Sequence, residues 1–495
     1  MVYIVVVSAY LVLLLGISIY KSQSVKTQDD FMVAGRNVPV YLLVSTLVCT
    51  WIGSGSLFGT AGLTFRTGFS ELWFSMGAWV GILVIYFIAA RVRSISQYTL
   101  TDLLEKRYGR VARILGTVTI IIAYMVIAGY QFKGGGRFIN ILTEGRISPE
   151  TGMLISCVVI VGFTVLAGMV SIVSIDIFNG IIMIVAMVLT LPFAVASHGG
   201  WDAVMTTINT TKPEYLSLFE GHSAWWVVGI VLPTFLLLLS ESSAYQKFAS
   251  AKDSRAAKQA VIGMFTGVVL IEFLMCTIAV VGYAIYSDDP RFFLADGSVN
   301  RSMAEEVILR IGYEQIPVYI GMLLLSAGVA IIISTGNTFL MVTSTNVARD
   351  IFQTFVYPDA SSKEMVWIQR ICIVVIGVLA YLMMSQFETI LEMALISYTM
   401  IGASLAPVLL ASFFWKRVTR QGGVASIASG MATVVMITLT IRLLQNAGVT
   451  HLFDIPIGTI TDYIAMPAVF VSLTTLVVVS LLTPPSPESV WKPFM

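Results

Sequence analysis

Charge is what this chain has least of. Asp, Glu, Lys and Arg make up only 12% of its 495 residues, while 57% are hydrophobic. A water-exposed surface of that extent needs far more charge, so an ordinary soluble enzyme or binding domain is excluded. The two signs nearly cancel, 29 basic residues against 28 acidic, which says little about partners; no nucleic acid is expected among them. Three scattered histidines form no metal constellation. The four cysteines, Cys49, Cys157, Cys276 and Cys372, all lie in apolar segments and read as packing residues, with neither disulfide nor metal-ligand spacing. The first apolar run, from Met1 to about Tyr20, lacks both a basic start and a small-residue cleavage site. It reads as a retained membrane span, not a signal peptide.

What is present is apolar length. Mean hydropathy is +0.88, and stretches long enough to cross roughly 30 Å of hydrocarbon recur along the chain. About thirteen spans are expected, near 2–20, 39–65, 71–92, 111–142, 151–170, 172–196, 224–248, 258–286, 315–352, 365–384, 388–414, 423–444 and 461–483. The second to eleventh are core helices 1 to 10. With the N-terminus outside and the C-terminus inside, most Lys and Arg fall in cytoplasmic loops, among them Lys26, Arg107, Arg113 and Lys247, as the positive-inside rule demands. Residues 1–38 then form a peripheral helix and loop. Residues 39–196 and 224–414 form two halves of the core, and 415–495 two further peripheral helices and a short tail. The longest external loop, about 287–314, is expected to carry a short surface helix.

Core helix 1 contains "LVCTWIGSGSLFGTAGLTF" (47–65), where Gly53, Gly55, Gly59 and Gly62 alternate with Thr50, Ser54, Ser56 and Thr60. Glycine weakens a helix, and irregular backbone inside a membrane survives only when buried in protein or lining a wet cavity. Two readings stand level: close helix packing through small residues, with Gly55/Gly59 at the right spacing, or an unwound binding helix with free carbonyls. Core helix 8 contains "IIISTGNTFLMVTSTNVARD" (331–350), with Ser334, Thr338 and Thr345 on one face and Thr335 beside them. Hydroxyls and a free carbonyl are hard oxygen ligands suited to a hard cation; alternatively these hydroxyls bond back to carbonyls four residues earlier. Asp176, early in core helix 5, is either an acid on an ion path or a helix-start acid near the interface. In core helix 6, "PTFLLLLSESSAYQK" (233–247) places Pro233 ahead of a polar cluster around Glu241. Interrupted helices at matching positions of two inverted halves of about five spans each point to a midplane site in a secondary transporter.

Together these segments resemble the sodium:solute symporter family, whose inverted-repeat fold is shared with the bacterial leucine transporter. "TQDDFMVAGRNVP" (27–39) resembles the family's approach to helix 1, and "FTVLAGMVSIVSIDIFNG" (163–180) its helix 4–5 pattern, with Ala167 in place of the first of two paired glycines. "STGNTFLMVTSTNVARDIF" (334–352) resembles helix 8, and "GASLAPVLLASFFWKRVTRQGGVASIASG" (402–430) the helix 10–11 junction. The resemblance implies an all-α integral membrane fold, a 5+5 inverted repeat with helices 1 and 6 broken, and sodium-driven uptake. It implies a sodium ion held by the carbonyls of Cys49, Ile52 and Ile331 and the hydroxyls of Ser334 and Thr335. Asp176 matches an aspartate used in sodium coupling, either near this site or at a second one shared with Ser334.

The solute pocket is expected between Thr50, Trp51, Gly53 and Ser54 of helix 1 and Ser240, Glu241, Ser242 and Tyr245 of helix 6. Tyr130 and Gln131 of helix 3 and Ser397 and Tyr398 of helix 10 complete it. Trp51 resembles the choline-transporting branch, and helices 8 to 10 the proline-transporting one. Glu241 pairs with a substrate amine, carries a proton, or bonds to Lys133, which alternatively stands at the outer mouth. Glu272 in helix 7 is read as a polar interhelix bond, and Trp225 and Trp226 as an interfacial belt. The expected function is symport of a small polar organic solute, amino acid-like or a carboxylate, with sodium as the only cofactor, by a multi-pass protein of a bacterial or archaeal cell membrane. A transporter-like sensor or receptor and a passive channel without sodium coupling are the competing classes. An enzyme is not expected, because no nucleophile–base set is present. The sequence sets no oligomeric state.

Overall fold

Runs of apolar residues without soluble faces fold here as helices that bury one side on each other and turn the other outward. The computed structural model describes every residue except Met1, Ser24, Lys26, Ser96, Gln97, Glu220, Ser385, Gln386, Glu388, Thr450, Phe453 and Asp454; of the loop charges weighed above, Lys26 thus lies outside the described residues. Among these, twelve helices are long and apolar enough to cross a membrane, and Val40–Trp51 is a shorter apolar helix. Where one span is expected at 39–65, the chain forms Val40–Trp51 and, after a break, the stretch Gly55–Thr67. Gly68, at φ +62°, then turns the chain before core helix 2 at Leu72–Tyr86. Gly68 has no room for a side chain, since a Cβ there would sit 2.4 Å from the Tyr215 backbone.

Core helix 3 is Arg110–Leu142. Core helices 4 and 5, Pro149–Leu166 and Gly168–Ser197, meet at Gly168, whose φ of +58° and ψ of 176° interrupt one continuous helical run. Core helix 6 is Ala224–Ser240 followed by Ser242–Ser250. The remaining core helices are Ser254–Tyr286, Val318–Thr345, Ser362–Met383 and Ile390–Phe414. Val2–Ser22, Arg420–Asn446 and Ala465–Leu482 lie around them. Burial separates centre from rim: 94% of the most apolar window of core helix 10 is buried, against 17% for Val2–Ser22. Two-residue strands, His451–Leu452 and Ile455–Pro456, pair before the last span.

Several charged residues expected at the membrane surface are inside. Lys247, Arg107 and Arg113 are 0%, 1% and 7% exposed, so helix 6 and the helix 2–3 connection carry basic groups into the protein where the loop-charge reading put them in water. Arg113 pairs with Asp350 at 2.7 Å and Asp102 at 3.0 Å, and burying a charge requires such partners. Likewise the external loop forms short helices, Arg301–Ala304 and Val307–Arg310, but Glu305 between them is buried, not on the surface. It is ion-paired with Arg137 and accepts from the Leu391 backbone N–H at 2.9 Å, at the start of core helix 10. The two tryptophans differ: Trp225 is exposed, while Trp226 is buried and its ring stacks on His222 at 3.8 Å.

Candidate ion and solute site

The break in core helix 1 lies in a single turn. Trp51 is the last helical residue, Ile52 is extended (φ −77°, ψ 99°), and a π-helical turn runs from Gly55 to Thr60. Helix 8 faces that break. The Thr335 hydroxyl donates to the carbonyls of both Cys49 and Ile52 at 3.1 Å. Ser334 donates to an Asp176 carboxylate oxygen at 2.5 Å and lies 3.5 Å from the Cys49 carbonyl. These hydroxyls therefore reach across to helix 1 rather than only bonding back along their own helix. Ile331 stands one turn before them, fully buried.

Asp176 is fully buried, two turns into core helix 5 and not at its mouth. Besides Ser334, it accepts from the Thr46 hydroxyl at 2.5 Å, and its carbonyl accepts from Ser45 at 2.6 Å. Two carbonyls, two hydroxyls and a carboxylate thus converge from helices 1, 5 and 8, all hard oxygen donors. Among the described residues, no group of three His, Cys, Asp or Glu could hold another metal. The glycines serve both readings offered for this stretch. Gly53 admits Thr335, whose Cγ2 would lie 2.8 Å from a Cβ, and Gly55 admits the Tyr398 hydroxyl at 2.7 Å.

Core helix 6 breaks at Glu241 (φ −72°, ψ 104°), whereas Pro233 is accommodated inside the helix. The two breaks flank a small, nearly closed cavity lined by Thr50, Trp51, Gly53, Tyr130, Leu237, Glu241, Thr335, Phe339 and Tyr398. Six of these were expected from the sequence as solute contacts and Thr335 as an ion ligand; Leu237 and Phe339 were missed, although each stands one turn from a polar residue of the site. Tyr130 and Tyr398 meet hydroxyl to hydroxyl at 3.2 Å. Other expected residues stand behind the wall. The Ser54 backbone N–H donates to Gln131 at 3.0 Å, and Tyr245 donates to the Leu239 carbonyl at 2.7 Å. Ser240 and Ser397 bond to carbonyls one turn back. Among the described residues, the Gln131 amide nitrogen and Ser242 hydroxyl are buried without a hydrogen-bond partner.

Glu241 accepts from Ser243. Lys133 donates to the Phe387 carbonyl at 2.5 Å, so of the readings offered for Glu241 the bond to Lys133 is replaced by two separate contacts. Glu272 accepts from the indole nitrogens of Trp51 at 2.8 Å and Trp79 at 2.6 Å. That is the interhelix bond expected of it, and it fixes the plane of a ring that lines the cavity.

Two helices broken partway along, with oxygen ligands at one break and a small aromatic-walled cavity between them, are the arrangement of a secondary transporter in which ion and solute meet. The comparisons agree. The model of the sodium:solute symporter family matches residues 31–430, and the chain belongs to that family. The osmoregulated proline transporter OpuE of Bacillus subtilis (strain 168) is 26% identical over 97% of this chain and 94% of its own length. The sodium/proline symporter of Escherichia coli (strain K12) is 24% identical over 84% of this chain and 83% of its own. Among solved structures, a Na+-coupled sialic acid symporter in a substrate-bound outward-open state aligns with a TM-score of 0.79 at 14% identity, covering 99% of both chains. MhsT in complex with L-phenylalanine aligns at 0.55 and 13%, covering 89% of this chain and 97% of its own. The protein is therefore a multi-pass membrane symporter that couples sodium to a small organic solute, not an enzyme.

Proposed function

We propose that the protein takes up a compact amino acid of the proline type together with sodium, by alternating access, with its N-terminus outside and its C-terminus in the cytoplasm. The observation that carries this reading is the convergence of the Cys49 and Ile52 carbonyls with Thr335, Ser334 and Asp176. A sodium ion there takes the carbonyls of Cys49, Ile52 and Ile331 and the two hydroxyls as ligands, turning the single Thr335 hydroxyl proton away from the two carbonyls it now faces. Asp176 balances its charge. The cation then joins helix 1 to helix 8, and its release loosens that seam; the coupling is a population shift driven by differential ion affinity.

The cavity suits a small zwitterion. Glu241 offers a carboxylate to an amine, and Leu237, Phe339, Trp51 and the two tyrosines enclose an aliphatic ring. Relatives that transport proline support the amino acid class. One sodium entering at 100 mV supplies about 2.3 kcal/mol and a tenfold gradient about 1.4 kcal/mol more, enough to concentrate a neutral solute several hundredfold. Purified protein in proteoliposomes with an inward sodium gradient is expected to accumulate radiolabelled L-proline, and to stop when sodium is replaced by choline. Proline flux that ignores sodium would sink symport in favour of a channel; sodium-dependent accumulation of another amino acid but not proline would replace only the solute.

A further inference from the structure

The sodium seam contains a second cation that belongs to the protein. Lys247, on the second half of core helix 6, is completely buried. Its ammonium donates to the Thr46 carbonyl at 2.8 Å and to the Thr50 hydroxyl. The two acceptors lie one turn apart in the second half of Val40–Trp51, with Thr50 in its last turn. Thr46 is also the residue whose hydroxyl donates to Asp176, and Thr50 lines the solute cavity. The ionisable groups whose field reaches the ammonium are Asp176, Glu241 and Cys49. Two carboxylates and one ammonium thus share the floor of the site.

From this arrangement we infer that Lys247 is a tethered cation that competes electrostatically with sodium for Asp176, holding the ion's affinity low enough for release and leaving room for one sodium per chain. The inference rests on the sodium reading given above. Two carboxylates and the ammonium leave one negative charge, which one sodium ion cancels. Sodium between Cys49, Ile52 and Thr335 and the ammonium at Thr46 and Thr50 are like charges within two helical turns, in a seam that excludes water. At an effective dielectric constant of about 20, such a repulsion changes affinity by about tenfold or more. The sign separates this role from simple fastening. If Lys247 only held helix 6 against helix 1, removing it would splay the ligands and weaken sodium binding. If its charge opposes sodium, removing the charge while keeping a donor tightens binding.

The test is equilibrium binding of radioactive sodium to the purified full chain in detergent, without solute. Lys247→Gln is expected to bind sodium about tenfold more tightly than wild type, and Lys247→Arg to bind like wild type. Equal or weaker binding by Lys247→Gln, with wild type still binding, overturns this inference alone. A wild type that binds no sodium fails the symport reading itself, and this one with it. If Lys247→Gln does not fold, the wild-type stoichiometry decides: one ion per chain is expected, and two ions per chain without solute overturn the inference.

Discussion

The breaks in core helices 1 and 6 look alike in outline and differ in what they do with their carbonyls. At helix 1, the Cys49 and Ile52 carbonyls accept from hydroxyls that another helix brings, Thr335 above all. At helix 6, the chain uses its own side chains. Tyr245 donates to Leu239, and Ser240 donates to Leu236 at 2.7 Å, while the Glu241 carbonyl accepts from the Ala244 N–H at 3.1 Å. A carbonyl satisfied by a movable hydroxyl can be handed to a cation, and one satisfied within its own turn cannot. Helix 1 therefore provides ion ligands, and helix 6 presents a side chain, Glu241, to the solute. Composition follows: four glycines loosen residues 53–62, whereas helix 6 breaks with no glycine between Pro233 and Ser250.

That division of labour can be broken at either end. Asp176→Asn is expected to have the largest effect, abolishing sodium-driven accumulation in proteoliposomes and weakening sodium binding by about 100-fold, because an ion-path carboxylate is removed from a buried site. Next comes Ser334→Ala, which is expected to raise the half-saturating sodium concentration about tenfold while leaving solute affinity at saturating sodium unchanged; a shift in solute affinity alone would erase the distinction between the two breaks. Glu241→Gln should act chiefly on the solute, raising its KM about tenfold through loss of a charge-assisted hydrogen bond, while solute-free sodium binding weakens by less because one of the two nearby carboxylate charges is gone. Glu272→Gln keeps the shape but weakens its two indole contacts. A rise in KM of about threefold, with altered tryptophan fluorescence, is expected. Pro233→Ala should change transport least, less than about twofold, because the chain bends eight residues later; a large loss would move the functional break to Pro233.

Much of this was legible in the sequence because the site is written in residues that are costly in a membrane. Glycines at 53–62, the hydroxyl pair 334–335 and the carboxylates 176 and 241 each violate what lipid-facing helices want, and each lies at or beside a break or a cross-helix bond. What stayed hidden was depth. Lys247, Arg107, Arg113 and Glu305 lie in polar stretches between or at the edges of apolar runs, and hydropathy alone ends a span at the first charge. Whether that charge meets water or a partner such as Thr46, Asp350 or Arg137 depends on segments hundreds of residues away. The cavity's apolar wall was hidden for the opposite reason: Leu237 and Phe339 are ordinary membrane residues, and nothing in their type distinguishes a wall from a lipid face.

Asp176 and Ser334 are 158 residues apart in the chain, and Asp176 and Thr46 are 130 apart. During synthesis at about 5–20 residues per second, the aspartate enters the bilayer roughly ten to thirty seconds before its helix 8 partner exists. Over that interval Thr46 and the neighbouring Asn179 side chain, 3.4 Å away, are its bonded partners already made, and Lys247 arrives midway. The half-built chain thus shelters a carboxylate in lipid with contacts from its own first half, and variants of Thr46 or Asn179 should be lost to quality control before they ever reach a transport assay.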